Sequence, residues 1–311
     1  MLLLTQPALR DAEVFTSLPD ALRCRGVVSD WARANRGGAA IDAFLEGPVW
    51  ANGCLWVTDI PFGRIFRISP RGDWELVAQY DGEPNGMKWL GGDAFLITDY
   101  RNGLMLLDAR SGTVRPWLER RNSERFRGVN DLTFDSRGNL YFTDQGQTGM
   151  HDPTGRVYRL APDGKLDVLI SNAPSPNGLV LSADETVLFV AMTRGNCVWR
   201  VPLQADGSVS KVGQFFTSYG PSGPDGLVMR ADGHLLVANP GLGYLWVLNP
   251  RAEPVEVIRS PVGSSLTNAC FGGDDGSTLF MTESTSSSIL RIEMPQGGAP
   301  VHGAGSGRYG G

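Results

Sequence analysis

Apolar and polar positions along this chain fall into short runs, and the runs recur. From Glu46 the segment EGPVWANGCLWVTD carries a polar residue, a short apolar stretch, a Gly-containing turn and a second apolar stretch. The same order returns in NGMKWLGGDAFLITD from Asn85, NDLTFDSRGNLYFTD from Asn130, NGLVLSADETVLFVA from Asn177, DGLVMRADGHLLVAN from Asp225 and NACFGGDDGSTLFMTE from Asn268. The second stretch tends to end in a small-polar pair: Thr58-Asp59, Thr98-Asp99, Thr143-Asp144, Ala238-Asn239, Thr282-Glu283. A third run alternates apolar and polar residues, as in GRIFRIS, GRVYRLA, NCVWRVP and SSILRIE, and a fourth closes the unit, as in WELVAQY and LDVLIS. Alternation with a period of two marks half-buried strands. Four of them per unit of roughly 40–50 residues predict an all-β chain folded as a six-bladed β-propeller of four-stranded blades.

A ring of blades must be closed. The sixth unit runs out after its third strand, near Met294. The stretch AEVFTSL, Ala12 to Leu18, resembles the fourth strands elsewhere and is expected to complete that blade from the front, removing the edges an open ring would expose. One domain over residues 1–295 follows, with the Gly-rich residues 296–311 expected to be a disordered tail. Residues 19–45 belong to no blade. They are long for a connection, so they either form a loop or short-helix lid across one mouth of the channel, with Trp31 and Phe44 covering it, or pack outside blade one.

The first strand of each blade lines the axis of a propeller. Glu46, Asn85, Asn130, Asn177, Asp225 and Asn268 are therefore expected to form a ring of oxygen-bearing side chains at one mouth. Two carboxylates with several amides, without His or Cys, make a hard donor set suited to Ca²⁺ or Mg²⁺, with Mn²⁺ or Zn²⁺ also able to bind. Two negative charges match one divalent cation, so neither acid is left buried and uncompensated.

In order and at this spacing, LEGPVW, GVNDL, SPNGL and GPDGL resemble the gluconolactonase, regucalcin (senescence-marker protein) and luciferin-regenerating enzyme family of six-bladed propellers, from about Ala12 to Pro295. The resemblance implies one divalent metal ion held by Glu46, Asn177 and Asp225, with Asn130 at its edge or on the substrate. It also implies that Asp225 accepts a proton from water attacking a lactone, and returns it to the leaving alkoxide, while the metal polarises the carbonyl. One position departs from the pattern. Several sugar-lactonase members carry Arg two residues before the Asn of the third blade, where this chain has Gly128 preceded by Arg127. Substrate contacts are expected from Asn85, Asn130, Arg127, Tyr100 and Gln145, with Arg101, Gln147, Met192, Trp50 and His151 as further candidates.

The rest of the sequence narrows these readings. A net charge of −5 over 311 residues, with no Lys/Arg run, argues against nucleic-acid binding. The apolar start MLLLTQPALR is too short for a signal or membrane anchor, and Cys24, Cys54, Cys197 and Cys270 have no metal-finger spacing, so a cytoplasmic protein is expected. Three histidines and no G-x-S-x-G elbow disfavour a Ser-His-Asp hydrolase. The remaining rivals to a lactonase are a metal-dependent aryl-esterase or phosphotriesterase, a non-catalytic calcium-binding propeller, and a metal-free propeller enzyme of the strictosidine-synthase type.

Overall fold

The computed structural model describes residues 6–303. Six antiparallel sheets surround one axis. Their innermost strands are Leu45–Ala51, Pro84–Gly91, Val129–Phe134, Pro176–Leu181, Leu227–Met229 and Leu266–Gly272. Blade one shows the common pattern, stepping outward through Cys54–Asp59 and Arg64–Ile68 to Trp74–Gln79. Gly-containing turns join successive strands because the tight reversals need positive φ, as at Gly53 (φ 69°).

The ring closes from the front. Glu13–Ser17 pairs antiparallel with Ser288–Glu293 as the outer strand of blade six. An extra strand, Ala8–Asp11, adds parallel to Pro254–Arg259 and gives blade five a fifth member. The two N-terminal strands thus bridge neighbouring blades. Arg259 and Arg291 grip Asp11 and Glu13 at 2.7 and 2.6 Å.

Alternation along each strand sends one apolar face to the blade before and the other to the blade after, so the core lies between blades. One cluster joins Trp56 and Ile65 of blade one to Met87, Phe95 and Ile97 of blade two. Another joins Leu45 and Phe66 of blade one to Phe280 and Ile289 of blade six, sealing the ring. Such residues are fully buried, and each large-to-small change there costs about 2–5 kcal/mol.

The small-polar pair is what aligns these interfaces. The hydroxyls of Thr58 and Thr143 donate to the backbone carbonyls of Asn85 and Asn177 in the next blade, at 2.7 and 2.8 Å, and Thr98 does the same to Asn130. The acid beside each Thr grips the chain entering its own inner strand. Asp59 accepts from the Phe44 amide at 2.7 Å, Asp99 from Glu83 at 2.9 Å, Asp144 from Arg127 and Gly128 at 2.8 Å, and Glu283 from Ser265 at 2.9 Å.

Two irregular segments lie at opposite mouths of the channel. Residues 19–45 carry a short helix, Asp30–Asn35, capped by the Ser29 hydroxyl, which accepts from the Ala32 amide at 3.1 Å. At the other mouth, part of the segment expected to be disordered has a fixed place. The amides of Ala231 and Ala299 donate to Gly297 and Met229, at 3.0 and 2.8 Å, and His302 Nε2 lies 3.1 Å from Glu185. Residues 298–302 thus lie along a cavity of about 160 Å³ that Trp50, Met229 and Phe271 also line. Backbone pairing with blade five overrides the glycine content there. The rest of the expected tail, 304–311, lies outside the described residues.

Candidate active site

Four of the six inner strands carry a glycine directly after the ring position: Gly47, Gly86, Gly178 and Gly226. Here the strands come closest together. A Cβ on Gly47 would sit 2.1 Å from the Asn85 carbonyl oxygen, and one on Gly226 would sit 2.2 Å from Asn268 Oδ1. The missing side chains let the ring residues converge.

Converge they do. A pocket of about 390 Å³ at the mouth crossed by residues 19–45 is lined by Glu46, Asn85, Asn130, Asn177 and Asp225. Asn268 lies against its wall rather than in its lining. Its amide nitrogen donates to Glu46 Oε2 at 2.9 Å, and its own Oδ1 accepts from the Ala269 amide at 2.8 Å, which fixes the orientation. The Gly47 amide donates to the same Glu46 oxygen at 2.7 Å. Asn130 is held similarly. It donates to Gln145 Oε1 at 2.9 Å, and Gln145 Nε2 donates to the Ser175 hydroxyl at 2.9 Å, so Asn130 Oδ1 is kept from that contact.

The electrostatics of this group are strained. Burial pushes the Glu46 carboxyl up to about 7, against the pull of the Gly47 and Asn268 hydrogen bonds. Burial pushes Asp225 well above the usual carboxylate range, and the nearby charges of Glu46 and Asp131 push it further. Arg194 and a hydrogen bond from Asn177 oppose the rise. Asp131 is a third acid in the hub, buried beside the ring. Its Oδ1 accepts from the Leu132 amide at 2.8 Å, and burial raises its pKa while Lys88 lowers it. The sequence pattern passed over it, although it stands where four other blades have glycine, and that break in the repeat was the available signal.

Among the described residues no three His, Cys, Asp or Glu side chains cluster as a ready-made metal cage. The donor set here is two carboxylates completed by amides. Two desolvated acids, with the Glu46 charge raising the pKa of Asp225 and amide oxygens alongside, fit a divalent cation, whose charge would relieve the repulsion.

Tyr100 and Gln145 line the pocket as expected, but Arg127 does not. Its amide is held by Asp144 and its guanidinium donates to Thr154. Tyr100 occupies the space that a side chain at 128 would need: a Cβ there would lie 2.5 Å from its ring, and Gly128 has φ 155°. Arg101 pairs with Asp81 at 2.7 Å, Met192 is fully buried, and Trp50 stacks on Phe280 with ring centroids 5.2 Å apart. Gln147 and His151 line an adjoining lobe. Trp31 and Phe44 line the pocket and touch each other, with ring centroids 4.7 Å apart.

The chain matches the SMP-30/Gluconolactonase/LRE-like region over residues 44–285. It is 31% identical over 281 residues to a gluconolactonase of Zymomonas mobilis, covering 79% of this chain and 77% of that protein. It is 38% identical over 242 residues to lactonase drp35 of Staphylococcus aureus, covering 74% and 70%. Two solved structures share the fold. A calcium-binding regucalcin from Agrobacterium tumefaciens aligns with TM-score 0.74 and 21% identity over 95% of this chain and 97% of that one. A gluconolactonase from Xanthomonas campestris aligns with TM-score 0.70 and 22% identity over 94% and 99%. The ring of acids and amides therefore sits in a chain that belongs to the SMP-30/gluconolactonase/LRE-like family.

Proposed function

We propose that this protein is a lactonase, opening a cyclic ester at the mouth of the propeller where Glu46 and Asp225 meet. One observation carries the reading: two carboxylates from different blades share one desolvated pocket with amide oxygens, a donor set that calls for a doubly charged ion. The gluconolactonase and lactonase relatives support the reaction class. Glu46, Asn177 and Asp225 would hold the ion, with Asn130 at its edge. Calcium suits the all-oxygen donors best; Zn²⁺, Mg²⁺ and Mn²⁺ are the alternatives. A bound divalent cation would supply Lewis acidity toward the lactone carbonyl.

The residues of the chain do the rest. Asn268 and the Gly47 amide hold one Glu46 oxygen and so aim the other into the pocket. Gln145 orients Asn130. An Asp225 carboxylate oxygen takes a proton from the attacking water and returns it to the ring oxygen as the ester opens. Trp31, Phe44 and Tyr100 wall the pocket and limit water around the reacting ester. The four cysteines form no disulfide, and we place the protein in the cytoplasm, where thiols stay reduced. No helix of the described residues is long and apolar enough to cross a membrane.

The test is pH-stat hydrolysis of a lactone panel, with an aryl ester and a phosphotriester alongside, before and after chelation. Lactones should turn over, stop on chelation and recover with one divalent ion. Asp225→Asn and Glu46→Gln should each lower kcat/KM by several orders of magnitude with the fold intact. Near-wild-type turnover in either variant overturns the assignment.

A further inference from the structure

The pocket above Glu46 and Asp225 is larger than a bare lactone ring requires. It continues into a second lobe of about 510 Å³, and Asn35, Tyr100, Gln145 and Arg194 line both. The charges around this joint space do not cancel. Glu46 and Asp225 are the only acids lining either lobe among the described residues, and a divalent cation would balance them. The third hub acid, Asp131, lies behind the lining and is opposed by the Lys88 charge, so two guanidiniums remain on the pocket wall, in a chain whose net charge is −5. Neither Arg36 nor Arg194 has a carboxylate within 4.0 Å among the described residues. The Arg36 guanidinium carbon lies 5.2 Å from the centre of the Phe44 ring, an aromatic partner that engages its face. Arg194 has no such contact and stands on the wall shared by the two lobes.

Arg194 is also held at a set place. It lies in the single turn Thr193–Gly195, ended by Asn196 in the left-handed conformation (φ 49°). The Thr193 hydroxyl donates to the Pro224 carbonyl at 2.8 Å, tying the turn to the residue before Asp225. A guanidinium offers paired, nearly parallel donors that match the two oxygens of a carboxylate or phosphate.

We propose that the substrate is a lactone bearing a second, anionic group, a carboxylate or a phosphate monoester, and that Arg194 is the residue that recognises it. The inference rests on the lactonase reading and goes beyond it by naming the substrate class. The reacting ester lies over Glu46 and Asp225 while the anion reaches toward Arg194.

The test compares the metal-loaded enzyme on a γ-lactone carrying a ring carboxylate and on the matching neutral carboxamide, with a phosphorylated lactone as a third arm. Wild type should favour an anionic lactone by about tenfold or more in kcat/KM, the size of effect expected for a charge-assisted hydrogen-bonded pair. Arg194→Gln should bring the ratio to about one and Arg194→Lys should keep part of it. Whichever anion loses more in Arg194→Gln is the group recognised. A wild-type ratio of one or less overturns the proposal, and so does a preference that survives Arg194→Gln. If no lactone is opened, the lactonase reading falls by itself. Calorimetry with the ring-opened hydroxy-dicarboxylate then decides the role of Arg194: about tenfold weaker binding to Arg194→Gln supports it, and equal binding overturns it.

Discussion

Glu46 and Asp225 show what it costs to gather acids in a desolvated place. Burial raises the pKa of both, the Glu46 charge raises Asp225 further, the Asp131 charge raises Glu46, and the hydrogen bonds to Glu46 recover only part of the loss. In chelated protein Glu46→Gln should therefore melt a few degrees above wild type, because one of the repelling charges is gone. Adding the divalent ion should raise the melting temperature of wild type but hardly that of the variant. A wild-type melting temperature that no divalent ion moves would remove the metal centre from the account. A surface acid behaves in the opposite way. Asp232 accepts from Arg230 at 2.7 Å through both carboxylate oxygens, and these bonds hold its pKa down to about 2, from an ordinary 3.8. A lowered acid pKa stabilises the fold above the unfolded-state value, and that stability is lost as pH falls toward the folded value. Because Asp232 is a surface residue and water screens its pair with Arg230, Asp232→Asn should cost no more than about 1 kcal/mol near neutral pH, and the cost should shrink below about pH 4. Urea unfolding at both pH values checks this; a pH-independent difference would contradict it.

At the scale of strands, the recurring Thr-Asp pair is the device that builds the hub. Its Thr reaches across to the next blade and its acid clamps the entry to its own. Thr143→Val should leave the Asn177 carbonyl short of a donor, at a cost of about 1–3 kcal/mol. If Asn177 is a metal donor, the same change should weaken divalent-ion binding, read by calorimetry. Unchanged affinity with lowered stability would confine Thr143 to a packing role. The glycines after the ring positions carry the complementary constraint. Gly226→Ala would place a methyl against Asn268, the residue that aims Glu46, and should cost about 1–3 kcal/mol or more while disturbing metal binding. A fully stable Gly226→Ala with wild-type activity would show that the strands can part without consequence.

For the whole molecule, closure is the decisive event. Each interface between blades has its own apolar cluster, but the junction of blades six and one joins the two ends of the chain. The strands Ala8–Asp11 and Glu13–Ser17 fasten that junction on the outside, one on blade five and one on blade six. Deleting residues 1–18 would bare the Ser288–Glu293 edge and remove the ion pairs Arg10–Glu256, Asp11–Arg259 and Glu13–Arg291. The shortened chain should melt at markedly lower temperature and self-associate through the open edge, seen by size exclusion. A monomer with unchanged melting would mean that the ring is held by its hydrophobic clusters alone.

The sequence by itself determined the repeat, the number of blades, the closing strand and the identity of the ring residues. These are set by local period and by the spacing of one position, and both survive in the linear chain. It did not show the added parallel strand Ala8–Asp11, whose parallel partner lies far away in the sequence, nor the fixed place of residues 297–302, whose glycines suggested disorder. Side-chain direction was likewise out of reach. Arg127 was expected to contact substrate, but Asp144 holds its backbone amide and Thr154 its guanidinium outside the pocket lining, while Arg194, two residues past a strand end, comes to the pocket rim. Asp131 was invisible as a charge in the hub, because its effect depends on burial beside acids from other blades. Period fixes which residues repeat. Which of them meet, and what each meeting does to their charges, is decided only when the ring has closed and excluded water.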